Sequence, residues 1–212
     1  MNIAILGPPS SGKGTQASAL AKEFGLPHIS TGDILRSEVD RNTELGQAAA
    51  SYMAGGKLVP DHLVIGRMAN RLSQEDCAGG FIVDGYPRTL EQAEALDKDF
   101  TVDVVIYIDV TEEVIIRRAT GRRVCKSCGA IYHVEFSPPK NAEVCDVCGS
   151  RLTVRKDDTE STVRKRLEVY GEMTAPLIER YGEILISVDG TGTPEQTLEQ
   201  AREVLKHVGN NV

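Results

Sequence analysis

The stretch Gly7-Pro8-Pro9-Ser10-Ser11-Gly12-Lys13-Gly14-Thr15 constrains what this chain can fold into more than any other. A strand-like run, Asn2 to Leu6, precedes it. A helix-period pattern follows from Lys13 to Phe24, with Ala17, Leu20, Ala21 and Phe24 on one face. The spacing G-x-x-x-x-G-K is that of a phosphate-binding loop. Its glycines let successive backbone N–H groups converge on one anion, and the helix behind it adds its positive end. Lys13 is placed to reach outer phosphates, and the Thr15 hydroxyl to touch a magnesium shell. The plain motif carries Ser or Thr directly after the lysine, whereas here Gly14 intervenes.

The rest of the pattern alternates strands with helices. Short apolar runs recur at 28–30, 81–84, 104–108 and 184–188, separated by helix-period segments. That alternation predicts a parallel α/β sheet of five strands flanked by helices. Ligands of such sheets gather at the carboxyl ends of the strands, marked here by Gly7, Thr31, Asp84-Gly85 and Gly190. An Asp at such a strand end is placed to hold magnesium through water; a turn-forming Asp before Gly85 is the other reading of Asp84. Residues 30–59 read as a small helical excursion, with Thr31 as the expected N-cap of its first helix and Asp61 as a candidate cap of the helix after it. One long helix is expected from Thr159 to about Tyr181, on which Arg164, Lys165 and Arg166 point in different directions.

Residues 121–158 change character. Cys125-x2-Cys128 and Cys145-x2-Cys148 are two knuckles spaced for a structural zinc ribbon, with two redox pairs as the alternative. His133 lies between them as a possible substitute ligand. The segment has few apolar residues, so a metal is expected to replace the missing core. Cys77 stands apart as an ordinary, partly buried thiol.

Apolar residues at 41% and charged residues at 26% predict a soluble globular chain. The absence of a long apolar stretch or a signal segment leads to the expectation of a cytoplasmic protein with no membrane partner. A net charge of -7 argues against nucleic acid as a partner, yet it leaves room for an anionic ligand wherever arginines cluster.

Taken together, the loop Gly7 to Gln16, Ser30-Thr31-Gly32-Asp33, Asp84-Gly85-Tyr86-Pro87-Arg88, Gly121-Arg122-Arg123 and Arg155-Lys156-Asp157-Asp158 resemble the adenylate kinases in their long-lid, zinc-bearing form. The resemblance runs the length of the chain. Gly14 is normal in that family; Ser10 departs from it, since glycine is usual there.

The resemblance implies a P-loop fold with a core formed by 1–29, 60–120 and 159–212, an AMP-binding lobe at 30–59 and a zinc-binding lid at 121–158. It implies transfer of a phosphoryl group from MgATP to AMP, giving two ADP, by a monomer. ATP would be held by Ser10, Ser11, Gly12, Lys13, Gly14 and Thr15, with Arg118, Arg122, Ile131, Tyr132 and Gly192. AMP would be held by Thr31, Arg36, Lys57, Leu58, Val59, Gly85, Tyr86, Pro87, Arg88 and Gln92, with Arg155 and Arg166 closing on the phosphates. Lys13, Arg88, Arg122, Arg155 and Arg166 would stabilise the transferring group, Asp84 would hold magnesium through water, and Cys125, Cys128, Cys145 and Cys148 would hold structural zinc. A kinase for another nucleoside monophosphate, and a nucleotide-dependent ribbon that binds nucleic acid or a protein, are the competing readings.

Overall fold

The computed structural model describes residues 1–155 and 157–209; Lys156 of the fourth motif and residues 210–212 of the expected core lie outside the described residues. The chain opens with β1 (Asn2–Leu6), the phosphate loop and α1 (Lys13–Phe24), then β2 (His28–Ser30), α2 (Thr31–Asp40), α3 (Glu44–Ala54) and α4 (Asp61–Leu72). β3 (Phe81–Asp84), α5 (Leu90–Asp99), β4 (Val104–Asp109) and α6 (Glu112–Gly121) follow. Three short strands come next: β5 (Arg122–Cys125), β6 (Ile131–His133) and β7 (Leu152–Thr153). α7 (Glu160–Val169), α8 (Pro176–Arg180), β8 (Leu185–Asp189) and α9 (Pro194–Gly209) complete the fold.

The main sheet has the order β2-β3-β1-β4-β8, parallel throughout. Its strands are apolar on both faces because helices cover both. One face packs Ala4, Leu6, Val83 and Val105 under Met68, Leu96 and Leu177. The other packs Ile3, Ile5, Ile82 and Ile106 under Leu20, Ile115 and Leu205. All five strands run the same way, so β1, β2 and β3 deliver the phosphate loop, Thr31 and Asp84 to one edge.

The segment after α6 forms a separate antiparallel sheet, β6-β5-β7. Its buried cluster is Cys125, Tyr132, Cys145 and Leu152, too few side chains for an independent core.

Local chemistry differs from expectation in three places. Ser30, not Thr31, caps α2: its hydroxyl accepts from the Asp33 amide, while Thr31 is already helical. Asp61 does not cap α4; Pro60 holds the capping position without a side-chain bond, and the Asp61 carboxylate turns instead to Thr89 and Gln92. The long helix expected from 159 is broken. A wider π-type turn at Tyr170–Thr174 separates α7 from α8, immediately before Pro176, whose ring lacks the N–H a continuous helix requires.

Candidate functional site

The phosphate loop reaches α1 through Gly12 at φ 101°, a backbone region open to glycine. Gly14 follows for a different reason. A Cβ on it would stand 3.1 Å from Asp84 Oδ2, so the missing side chain lets the first turn of α1 pass close under the end of β3. Lys13 folds back over the loop, its Nζ donating to the carbonyls of Gly7 at 2.8 Å and Pro8 at 2.6 Å. Burial brings the Lys13 ammonium down to about 8; Asp84 opposes this, while Arg88, Arg122 and Arg166 reinforce it. Burial pushes the Asp84 carboxyl up, but His28, Lys13 and Arg88 together hold it below the usual carboxylate range.

A cleft of about 680 Å³ opens above this edge. Nearly every residue expected at a nucleotide meets there: Ser10 to Thr15, Thr31, Arg36, Lys57 to Val59, Asp84, Gly85, Pro87, Arg88, Gln92, Arg118, Arg122, Ile131, Tyr132, Arg155, Arg166 and Gly192. Tyr86 is the exception. It is 2% exposed and belongs to the apolar core cluster that includes Leu96 and Val102. Its phenol is an amphipathic core residue, and the sequence motif alone gave no sign of which way it faces.

Eight cations line the cleft: Lys13, Arg36, Lys57, Arg88, Arg118, Arg122, Arg155 and Arg166. Burial lowers Arg88 to about 10, with Asp84 opposing and Arg166 and Arg36 adding repulsion. Arg155 is likewise lowered to about 10 by burial, then by Arg36 and Arg122. Both stay charged near neutrality. Carboxylates partly balance them: Asp33 lies 2.6 Å from Arg36 and 3.7 Å from Arg155, Asp158 lies 2.9 Å from Arg122, and Asp157 pairs with Arg166. Asp33, Asp84 and Glu195 in the lining, with Asp157 and Asp158 paired to its arginines, make five acids against eight cations and leave the cleft net positive inside a chain whose total is -7. Asp33, Asp157 and Asp158 stood in the sequence motifs without an assigned contact; their spacing from the arginines becomes visible only once residues 33, 122 and 155–166 converge.

Other contacts orient these groups. Arg88 Nε donates to Gly85 O at 2.8 Å, and Thr174 Oγ1 donates to Arg88 O at 2.8 Å. Gln92 accepts from the Arg88 amide at 2.8 Å and donates to Asp61 Oδ1 at 2.7 Å. Arg118 donates to Ser11 O and Gly192 O, and its guanidinium stands 6.0 Å from the Phe136 ring centroid. Thr31, buried, places its hydroxyl 3.5 Å from Met68 Sδ. Phe136 and Thr174 were not anticipated as lining residues. On α7, Arg164 and Lys165 pair outward with Glu160, Glu112 and Glu168, leaving Arg166 to face the cleft.

In the small sheet, ligand atoms of Cys125, Cys128, Cys145 and Cys148 all lie within 4.8 Å of one another. The Cys125–Cys148 and Cys128–Cys145 sulfurs stand 3.4 and 3.5 Å apart. A disulfide needs about 2.05 Å; a tetrahedral zinc site with Zn–S near 2.3 Å puts sulfurs roughly 3.8 Å apart. Four sulfurs gathered from both knuckles form a donor set that fits a tetrahedral zinc site. Burial raises the Cys145 thiol, but the Tyr132 hydroxyl and the amides of Cys148 and Val147 bring it down and favour its thiolate, while in Cys128 the Ala130 backbone bond is outweighed by the neighbouring thiols, which push it up. His133 is committed elsewhere: Nε2 meets Arg117 O at 3.2 Å, and Nδ1 accepts from the amides of Glu135 and Phe136.

A phosphate loop opening a helix at the carboxyl edge of a parallel sheet, under a cleft crowded with arginine, defines a P-loop phosphotransferase. Comparison with known proteins narrows the class. The adenylate kinase family model matches residues 5–185. An adenylate kinase of Clostridium tetani is 50% identical, covering 97% of this chain and 98% of its own length. One of Caldicellulosiruptor saccharolyticus is 51% identical over 99% of both chains, and one of Clostridium beijerinckii is 49% identical over all of both. The chain belongs to the adenylate kinase family, and is thus a nucleotide-binding kinase that transfers phosphoryl groups to nucleoside monophosphates. No helix among the described residues is long and apolar enough to cross a membrane.

Proposed function

We propose that the chain catalyses MgATP + AMP ⇌ 2 ADP. The observation that carries this reading is the single cleft into which the phosphate loop, the residues expected at AMP and the arginines of the lid all open. AMP phosphate is already anionic enough to attack the γ-phosphorus in line, so no general base is required. Catalysis reduces to positioning and charge stabilisation. The loop amides of residues 10–15 and Lys13 hold the ATP phosphates, and Arg122 joins them from the lid. Arg36 and Arg88 hold the AMP phosphate, and Arg155 and Arg166 bridge the two. Arginine suits these places because its planar fork meets phosphate oxygens in pairs and stays charged.

Arg118 lies beside the ATP base with Ile131, Tyr132 and Gly192. Thr31, Lys57 to Val59 and Gln92 surround the AMP base. Magnesium enters with ATP as part of the substrate; Asp84, held ionised, and Thr15 are the groups that take its water shell. The core, the AMP-binding lobe at 30–59 and the lid at 121–158 move as separate bodies, and lid closure keeps water from the γ-phosphate. Zinc, when bound by the four cysteines, crosslinks the lid and takes no part in the chemistry. The protein acts as a monomer in the cytoplasm, without nucleic-acid partners.

The test is a coupled assay for ADP with AMP, GMP, CMP and UMP each offered as acceptor beside MgATP. AMP is expected to be preferred by at least an order of magnitude. Equal turnover of another monophosphate would replace this reading with a sister kinase.

A further inference from the structure

Ser10 stands at φ 61°, a left-handed backbone in which a non-glycine residue is strained. Its side chain occupies an uncommon place. The hydroxyl oxygen accepts a hydrogen bond of 2.6 Å from Arg122 Nη2, a residue 112 positions away at the start of β5. The same Nη2 donates to Asp158 Oδ1 at 3.1 Å, and Arg122 Nε lies 2.9 Å from Asp158 Oδ2. Asp158 is 4% exposed. Residues 122 and 158 stand where the expected lid leaves and rejoins the core, so their ion pair pins its two ends together. Ser10 then fastens that pin to the phosphate loop.

We propose that the Ser10 hydroxyl is a positioning group that latches the base of the lid to the phosphate loop before nucleotide arrives. This deepens the reading of the cleft as an ATP:AMP phosphotransferase site and rests on it for its kinetic consequence. A hydroxyl is suited to the task. Its oxygen accepts from the guanidinium, while its own proton is left to donate into the cleft. A glycine at this position would relieve the backbone and forfeit the latch. The latch holds Arg122 within reach of the place where phosphates bind, which favours ATP capture. It also adds a bond that must break when the lid opens to release product, which slows turnover where opening is rate-limiting.

Two variants of the full, zinc-loaded chain separate the hydroxyl from the backbone: Ser10→Ala keeps the Cβ at positive φ and loses the oxygen, whereas Ser10→Gly loses both. In nucleotide-free protein, hydrogen exchange of the amides in residues 122–134 is expected to quicken about tenfold or more in both variants, the scale set by a hydrogen bond to a charged group. In steady state, KM for ATP and kcat are expected to rise together in both, while KM for AMP stays close to its original value. Lid exchange in Ser10→Ala that matches the unchanged protein overturns the proposal, as does a change confined to Ser10→Gly, which would assign the effect to backbone strain. The exchange measurement uses no substrate. If it shifts as expected while AMP is not phosphorylated by any form, the latch stands and the reaction assigned above fails.

Discussion

Gln92 Nε2 donates to the Asp61 carboxylate at 2.7 Å, so a residue at the start of α4 fixes the amide proposed to read the AMP base. The Gln92 oxygen is also engaged, by the Arg88 amide. One N–H and one lone pair remain for a base edge. Asp61→Ala is expected to raise KM for AMP about tenfold, and Gln92→Ala to raise it further, with KM for ATP unchanged in both. Initial-rate kinetics with each nucleotide varied in turn checks this; equal loss toward both nucleotides would sink the assignment.

Lys13 gives the pH dependence a definite sign. Burial brings its ammonium down to about 8, against the opposing charge of Asp84. The protonated form attracts phosphate, so kcat/KM for ATP should be level below that value and decline as pH rises through it. A profile of kcat/KM against pH reads this directly. A flat profile up to the ordinary lysine range would show that Lys13 remains charged throughout.

Arg88 is held by its own turn, through Nε to Gly85 O, and by Thr174 through its carbonyl. Arg88→Lys keeps the charge and loses the fork. The expected result is a fall in kcat of about 10²-fold or more, with the melting temperature unchanged. A small kcat loss beside a large rise in KM for AMP would make Arg88 a binding group only.

The four cysteines predict a separable melting behaviour. Without metal, the cluster of Cys125, Tyr132, Cys145 and Leu152 is too small to hold β5, β6 and β7 together. Chelation is expected to lower the melting temperature of residues 121–158 while the five-stranded sheet keeps its own transition. Residue-resolved exchange during heating distinguishes the two; a single unshifted transition after metal removal would mean that the lid needs no metal.

The parts legible in the sequence were those with a local cause. β1, α1 and β2 fall where the apolar runs and glycines put them, because strand and helix periods are properties of a few consecutive residues. Gly14 was visible as a departure from the plain motif, but its reason lies in Asp84, seventy positions on, and needed the β1–β3 pairing to appear. Tyr86 was carried with its motif toward the cleft and instead faces the core, since a four-residue turn does not state which side each residue takes. Asp61 read as a cap from its place before a helix, and a tertiary partner won it away. The break at Tyr170–Thr174 was missed because an amphipathic pattern continues through it, although Pro176 was in plain view.

The pairing of Val124 with Thr153 and Cys125 with Leu152 has a consequence for how such a chain can vary. A module that departs and returns through adjacent strands asks nothing of the fold except that its two ends be neighbours. It can be shortened to a simple turn, or exchanged for a differently crosslinked piece, without shifting the register of the larger sheet by a single residue. The stability of the small sheet and the architecture of the large one are therefore open to selection independently.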